Sequence, residues 1–203
     1  MAINLVKGQK IDLTKGRSSL KSVMVGLGWD PVSQKSGGFL GGLFGGGSSG
    51  AAIDCDASVL LLNENNKLSS KQQLIYFGNK SSNNGSVVHT GDNRTGAGDG
   101  DDEIINVNLK TVPSSVHKLL FVVNIYQAKQ RKQDFGLIKN AFIRLVDNDT
   151  KQELVHYNLS DNYSGKTSLF LGELYRAGEE WKFSAIGEGT TDSDITSIAN
   201  KYF

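Results

Sequence analysis

The sequence of 203 residues contains little cysteine, proline or histidine and almost no excess charge. A single cysteine, Cys55, excludes an internal disulfide framework and a thiolate zinc cluster. The 22 Lys and Arg residues nearly balance the 21 Asp and Glu residues, and a net charge of +1 argues against a nucleic-acid partner. The strongest apolar run, 119–123, is far shorter than the about 18 residues that span a bilayer. With no secretory signal at its start, the chain is expected to be soluble and cytoplasmic.

Short strand-like segments recur along the chain, with turn-forming residues between many of them. Apolar and polar residues alternate at 22–27 and 104–109, whereas 59–62 and 119–125 are almost continuously apolar. Similar segments lie at 74–77, 142–146, 154–159, 169–175 and 181–186. Many short strands at this spacing predict a mainly β protein, a sandwich or barrel of mostly antiparallel strands. The length allows one large domain or two small ones.

Helix signals are few. Apolar residues recur at helical spacing within 195–202, and Thr191 and Ser193 precede them as candidate caps. This pattern predicts a short helix near the C-terminus. Residues 128–134 are rich in Lys, Gln and Arg, and we expect a polar turn or one helical loop there.

Residues 37–50 are the most unusual stretch, since eight of these fourteen residues are glycine. This composition predicts a flexible surface insertion. The alternative is docking through its large apolar side chains, because a solvated loop gains nothing from them. They would contact a protein partner, a membrane surface or a second copy of the chain, and they are Phe39, Leu40, Leu43 and Phe44.

The segment 92–103, DNRTGAGDGDDE, is the main chemical signal. Its five carboxylates repel one another unless a cation lies among them. Its three glycines let backbone oxygens turn toward the same point, and hard oxygen ligands in a roomy loop favour Ca²⁺ over Mg²⁺. A solvated acidic turn is the alternative interpretation.

Further acids lie beside strand-like segments. Asp54 and Asp56 flank Cys55 and would point to the same face of a strand, although a simple polar start to that strand is the alternative. Asp30 ends another strand-like segment. Residues 147–149, Asp-Asn-Asp, are typical of an ordinary hairpin turn.

No catalytic constellation is evident. His89, His117 and His156 have no neighbours that would pair a base with a nucleophile, although His89 could support the acidic loop through a hydrogen bond. Two flanking aspartates are expected to raise the pKa of Cys55, which makes it a poor thiolate nucleophile.

Taken together, the motifs resemble the TerD family of bacterial tellurium-resistance and stress-response proteins over nearly the whole chain. They are VGLGWD at 25–30, DCDASVLLL at 54–62, HTGDNRTGAGDGDDE at 89–103, LLFVVNIYQA at 119–128, FGLIKNAFIRLVD at 135–147 and LFLGELYRAGEEWKFSAIGEG at 169–189. The resemblance implies a single domain, 1–203, folded as a two-sheet antiparallel β-sandwich. It also implies binding of two Ca²⁺ ions and no established enzymatic activity. Cys55 replaces the family's apolar residue, and the 37–50 segment is longer than is typical.

The resemblance further implies a set of calcium ligands. Most come from the two acidic motifs, backbone oxygens near two glycines add to them, and Asp30 orients or completes a site. The implied set is Asp30, Asp54, Asp56, Asp92, Asn93, Gly96, Gly98, Asp101, Asp102 and Glu103.

The sequence indicates an indirect role in tellurium resistance, without direct capture or reduction of tellurite. Carboxylates repel an oxyanion such as tellurite, and one thiol offers little reducing capacity. We therefore expect a calcium-dependent, non-enzymatic scaffold or sensor that works with other proteins of a tellurium-resistance and stress-response system. The main alternative is a metal-dependent hydrolase or phosphate-handling enzyme that uses the cation as a Lewis acid. A third is a protein at the inner face of the membrane, where Ca²⁺ bridges to anionic lipid with help from Phe39 and Phe44.

Replacing 37–50 with a short Gly-Ser linker tests the two interpretations of that segment. We expect the melting temperature to change by no more than about two degrees, because glycine is costly to order in a core. If the apolar side chains dock, the linker variant should lose liposome binding, self-association by light scattering or capture of a partner from lysate. Identical behaviour in all three assays would leave the flexible-insertion interpretation standing. A large loss of thermal stability would instead show that these side chains belong to the core.

Overall fold

Buried and less buried side chains alternate along predicted strand segments, as expected for strands that pack one face against a core. In β3 (Ser22–Pro31) the side chains of Val23, Val25 and Leu27 are fully buried. In β7 (Glu103–Asn108) the burial also alternates from one residue to the next. Because successive strand residues point to opposite faces, each such segment directs one row of side chains into the core.

The computed structural model describes residues 2–17, 19–31, 53–91 and 100–203. The predicted insertion at 37–50, with Phe39, Leu40, Leu43 and Phe44, lies outside the described residues.

The described part contains twelve strands and two short helices. The elements besides β3 and β7 are β1 (Ile3–Leu5), β2 (Lys10–Asp12), β4 (Cys55–Leu62), β5 (Leu74–Ile75), β6 (Val87–His89), β8 (Lys118–Ile125), α1 (Ala128–Arg131), β9 (Ile138–Asp147), β10 (Glu153–Asn158), β11 (Ser168–Ala177), β12 (Glu180–Thr190) and α2 (Ile195–Ala199). Single 3₁₀ turns lie at Lys71–Gln73, Phe135–Leu137 and Asn200–Tyr202.

The strands form two six-stranded sheets. The first sheet has the order β1-β10-β9-β3-β7-β6, and the second has the order β2-β12-β11-β8-β4-β5. Neighbouring strands are antiparallel except β1 and β10, which pair in parallel. The predicted two-sheet antiparallel sandwich is therefore confirmed, with one parallel pairing at an edge.

Two hydrophobic clusters hold the sheets in place. The larger lies between the sheets and contains the fully buried rings of Phe121 and Phe183. The smaller covers the outer face of the second sheet, where Ile195 and Ile198 of α2 pack against side chains such as Leu62. No helix in the described ranges is both long and apolar enough to cross a membrane.

Strand β4 is buried on both faces, which agrees with the continuous apolar run at 59–62. Its odd-numbered residues, such as Cys55 and Val59, join the cluster between the sheets. Its even-numbered residues Leu60 and Leu62 join the cluster on the outer face. By the same alternation, Asp56 lies on the outer face of the second sheet.

Some local predictions needed correction. The helix near the C-terminus begins after Asp194, whose carboxylate accepts the backbone N–H of Ser197 at 2.7 Å, so neither Thr191 nor Ser193 is the cap. The strand predicted at 74–77 ends at Ile75, because a tight turn follows in which Tyr76 and Asn79 bond through their backbones.

The other local predictions are confirmed. The segment 128–134 contains only the four-residue α1. Residues 147–149 do form the turn between β9 and β10, where Asp147 accepts the N–H of Asp149 at 2.9 Å.

The cap of α2 can be tested with Asp194→Ala. We expect a loss of about 0.5–2 kcal/mol in the free energy of unfolding, the usual cost of removing an N-cap. Although burial acts to raise the pKa of Asp194, hydrogen bonds from Ser197 and Ser193 hold it below its usual value. Its contribution is therefore present above the unfolded pKa and is lost as the pH falls below about 4.

Denaturant unfolding at neutral and at acidic pH measures the effect. Ser193→Ala is the matched control, because it removes one hydrogen bond to the Asp194 carboxylate but leaves the cap in place. A larger loss in the Ser193 variant than in the Asp194 variant would contradict the assignment.

Candidate metal centre

The segment 100–103 crosses the end of β3 and is fixed there by two backbone contacts. The N–H of Asp102 donates to the carbonyl of Leu27 at 2.8 Å. The N–H of Trp29 in turn donates to Asp102 Oδ2 at 2.8 Å. These contacts place the acidic motif against the Gly-Trp-Asp end of β3.

Two glycines of β3 make this crossing possible. A Cβ at Gly26 would overlap the carboxylate of Asp101. A Cβ at Gly28 would overlap the ring of Phe142 and would come 2.7 Å from the carbonyl of Gly100. The motif VGLG therefore needs glycine because another chain segment passes directly over these positions.

Asp101 lies over the outer face of the first sheet, where it forms a bidentate ion pair with Arg144. Arg144 Nε is 2.7 Å from Asp101 Oδ1, and Arg144 Nη2 is 2.8 Å from Asp101 Oδ2. The same guanidinium donates through Nη1 to Glu153 at 3.0 Å. Hydrogen bonding to Asp101 is the main cause that raises the pKa of Arg144. The charge of Asp101 is thus balanced by a cation of the protein itself.

Asp102 and Asp30 lie close enough for their charges to interact. Burial is the main cause that raises the pKa of Asp102, and the charges of Asp30 and Asp101 raise it further against the opposing Trp29 N–H. Asp30 is exposed and accepts a hydrogen bond from Asn140 Nδ2 at 2.8 Å. These two carboxylates occupy the end of β3, where a cation would relieve their repulsion.

Glu103 is buried and reaches from the first sheet to the second. Its Oε2 accepts the backbone N–H of Ala57 in β4 at 2.5 Å. In the second sheet β5 pairs only with Val59 and Leu60, so the edge of β4 at Ala57 is covered by this carboxylate. A side chain of one sheet thereby satisfies the backbone of the other.

His89 supports Glu103 from β6. Its Nε2 is 3.3 Å from Glu103 Oε2, and both side chains are completely inaccessible to solvent. Its Nδ1 accepts the N–H of Gly91 at 3.2 Å, which assigns the ring proton to Nε2, facing the carboxylate. His89 is therefore hydrogen-bonded at the start of the acidic loop, as the sequence suggested.

Asp54 and Asp56 lie on the other side of β4. The carbonyl of Asp54 accepts the N–H of Tyr126 at 2.7 Å, so the pairing of β4 with β8 extends back to this residue. Arg131 Nη1 is 3.8 Å from Asp54 Oδ2. Asp56 is only 6% exposed and lies opposite Asn124 of β8.

Cys55 lies between these two aspartates, and its pKa is affected by acids on several sides. Its pKa is raised well above the usual value, chiefly by burial. The charges of Asp56, Asp54, Glu103 and Asp102 raise it further, in that order. The expected direction is thus found, but burial outweighs the flanking charges, and acids of both motifs act on one thiol.

The predicted ligands do not all meet at one point. Asp92, Asn93, Gly96 and Gly98 lie outside the described residues. The other six are divided among the outer face of the first sheet, the end of β3, the space between the sheets and the outer face of the second sheet. Within the described ranges, no group of three or more His, Cys, Asp or Glu side chains is arranged to hold a metal ion. The donor atoms are nonetheless hard carboxylate oxygens, which suit Ca²⁺.

A profile of the TerD domain matches residues 1–202. The chain belongs to the TerD domain family. It is 59% identical to "Stress response protein SCP2" of Bacillus subtilis (strain 168) over 202 residues, covering 100% of both chains. It is 44% identical to "Tellurium resistance protein TerD" of Serratia marcescens over 202 residues, covering 100% of this chain and 97% of that one.

The TerD fold is also seen in solved structures. One is a homologue of telluride resistance protein (TerD) from Streptomyces coelicolor A3(2), with a TM-score of 0.63 and 19% identity. The match covers 87% of this chain and 94% of that one. At this level of identity the likeness concerns the fold alone.

Arg144, the basic residue that pairs with Asp101 of this TerD domain, was not predicted from the sequence. Arg144 lies 43 positions from Asp101 in the chain, and nothing local to the acidic motif indicates the pairing. Its signal is a lone arginine within the apolar segment 142–146, since a cation on an otherwise apolar strand usually has a partner.

Gly26→Ala tests whether the close crossing of Asp101 over β3 is required. The added methyl group overlaps the Asp101 carboxylate, so the ion pair with Arg144 must shift or break. We expect a loss of about 1–3 kcal/mol in the free energy of unfolding, as for other overpacked sites. Thermal and denaturant unfolding measure it.

Gly91→Ala is the matched control, because a Cβ there meets no atom of the described residues within 4 Å. It should change stability by less than about 0.5 kcal/mol. Equal stability of the Gly26 variant and the wild type would show that the chain segment over β3 moves freely.

Proposed function

We propose that this TerD domain protein is a calcium-binding, non-enzymatic scaffold or sensor of a tellurium-resistance and general stress-response system, acting in the cytoplasm with other proteins of that system. The names of its relatives support the stress-response role, because proteins 59% and 44% identical over the full length are called stress response and tellurium resistance proteins. The calcium role is supported by the geometry of the acidic motifs.

The observation that carries the calcium proposal is that carboxylates of both acidic motifs exert their charge on the first residues of β4. The charges of Asp54, Asp56, Asp102 and Glu103 all act on the buried thiol of Cys55. Carboxylates whose charges act on the same partly buried region repel one another, and a divalent cation would offset that repulsion. The donors are oxygen atoms, which favour Ca²⁺ over the softer transition metals.

Two ion positions fit the arrangement better than one. Asp30 and Asp102 lie at the end of β3 in the first sheet, whereas Asp54 and Asp56 belong to the outer side of β4 in the second sheet. Glu103 lies between these places with its Oε2 on the backbone of Ala57. We therefore assign one ion to Asp30 and Asp102, and the other to Asp54 and Asp56. Asp92, Asn93, Gly96 and Gly98 lie outside the described residues and are assigned to neither position.

A non-enzymatic role is supported by the burial of the reactive groups. The side chains of His89 and Glu103 are fully inaccessible, so this pair does not present a base to a substrate. Cys55 is buried and its pKa is raised, so it does not present a thiolate. The chemistry that these carboxylates support is the binding of a cation.

Calcium should stabilise the folded protein. A ligand that binds only the native state at a hundredfold excess over its Kd adds about 2.7 kcal/mol to the free energy of unfolding. We expect the melting temperature of metal-stripped protein to rise on addition of Ca²⁺ and to fall again with chelator. Calorimetric titration of the same protein should give two equivalents of Ca²⁺.

Asp56→Asn and Asp102→Asn separate the two positions. Each should weaken the binding of one equivalent, and the effects should be nearly additive in the double variant because the side chains serve different ions. Asp161→Asn is the control, since this acid is exposed and pairs with Lys7. A melting curve that does not respond to complete removal of metal would refute the calcium proposal.

A further inference from the structure

We propose that Asn124 supplies a neutral side-chain oxygen to the cation position of Asp54 and Asp56 on the outer face of the second sheet. This inference rests on the proposed calcium function and adds a ligand that lies outside both acidic motifs. It assigns to the middle of β8 a role in binding, although the segment around it is otherwise an apolar core strand.

The pairing of β4 and β8 places Asn124 beside Asp56. The two residues are directly opposite each other in the ladder. Since Tyr126 N–H donates to the Asp54 carbonyl, every second pair along these strands exchanges hydrogen bonds, and Asp56 with Asn124 is the next such pair. Their Cβ atoms are thus about 5 Å apart on one face, close enough for one ion with bonds of about 2.4 Å to join both side chains.

The face on which Asn124 lies follows from its neighbours. Leu119, Phe121 and Val123 of β8 join the cluster between the sheets, whereas Leu120 and Val122 join the outer cluster. By alternation, the side chain of Asn124 points outward with those of Asp56 and Asp54. It does not face the interior, where Glu103 and His89 lie.

The amide oxygen of Asn124 lacks the partner that a buried acceptor needs. The residue is 4% exposed, and its Oδ1 has no hydrogen-bond partner among the described residues. Ser168 of β11 is paired with Asn124 across the sheet. Unlike the Asn124 oxygen, the Ser168 hydroxyl has a hydrogen-bond partner, because it donates to the carbonyl of Asp192 at 3.0 Å. A buried acceptor without a donor is unfavourable, and a cation bound at Asp56 would satisfy it.

A neutral ligand also suits the charge of this position. Asp54 and Asp56 place two carboxylates at this position, and Arg131 Nη1 lies 3.8 Å from Asp54 Oδ2. A third carboxylate opposite Asp56 would add repulsion in the absence of metal, whereas an amide oxygen adds a hard donor without charge. Asparagine is therefore the residue type that completes the set with the least cost to the metal-free fold.

Three variants of the full chain test the assignment. Asn124→Leu removes the oxygen and keeps the number of side-chain heavy atoms, and Asn124→Asp replaces the amide with a carboxylate. Ser168→Ala is the control, at the residue paired with Asn124 in β11. Each is stripped of metal and titrated with Ca²⁺ by calorimetry, and its melting temperature is measured with chelator and with saturating Ca²⁺. These readouts require no knowledge of a biological partner.

Asn124→Leu should weaken one of the two calcium equivalents by at least about tenfold, because even the loss of an outer-shell partner costs about 10–100-fold in metal affinity. Its melting temperature in chelator should equal or exceed that of the wild type, since an unsatisfied buried oxygen is gone. Asn124→Asp should melt lower than the wild type in chelator and show the larger rise with Ca²⁺. Ser168→Ala should keep both equivalents.

The outcomes separate this inference from the proposed function. If the wild type binds no calcium, the calcium function itself fails. If the wild type binds two ions and Asn124→Leu binds both with unchanged affinity, the role of Asn124 is overturned while the calcium function stands. Should the leucine variant not fold, the aspartate variant decides. A calcium-induced rise in its melting temperature no greater than that of the wild type would also overturn the role.

Discussion

The contact between the Glu103 carboxylate and the backbone of Ala57 is the constraint around which the acidic end of the sandwich is arranged. It joins the first residue of β7 in one sheet to β4 in the other, in a place closed to solvent and supported by His89. Because Glu103 is held inside, Asp102 must lie at the end of β3 and Asp101 must pass over its outer side. The glycines of β3 then follow from the space that this path needs.

The acids of one sequence motif therefore lie in different environments in the fold. Three consecutive acids differ in what they contact: Asp101 has the guanidinium of Arg144, Asp102 has a backbone N–H, and Glu103 has a backbone N–H and an imidazole. Since neighbouring residues of an extended chain point in different directions, crowding along the sequence is not crowding in space. The groups that approach each other come from different strands.

The limits of sequence reasoning can be traced to particular residues. Strands with long apolar runs, such as 119–125, were predictable because the hydrophobic pattern alone defines them. The strands β1, β2 and β6 have three residues each and were missed, since no periodicity can be read over so short a length. The acids of the site were predictable by type, but their faces depend on strand register, including the bulge between Gly28 and Asp30. The pairing of Arg144 with Asp101 is a long-range contact that no local pattern encodes.

The shortness of the outermost strands has a consequence for assembly. In the described part of the chain, the sheets end in β1, β6 and β2, each of three residues, and in β5, of two. A partner that joins a sheet by strand addition needs a long row of unpaired backbone groups, and the same row is what seeds fibrous aggregation. Each of these described edge strands therefore offers only two or three residues to strand addition or to edge-to-edge aggregation.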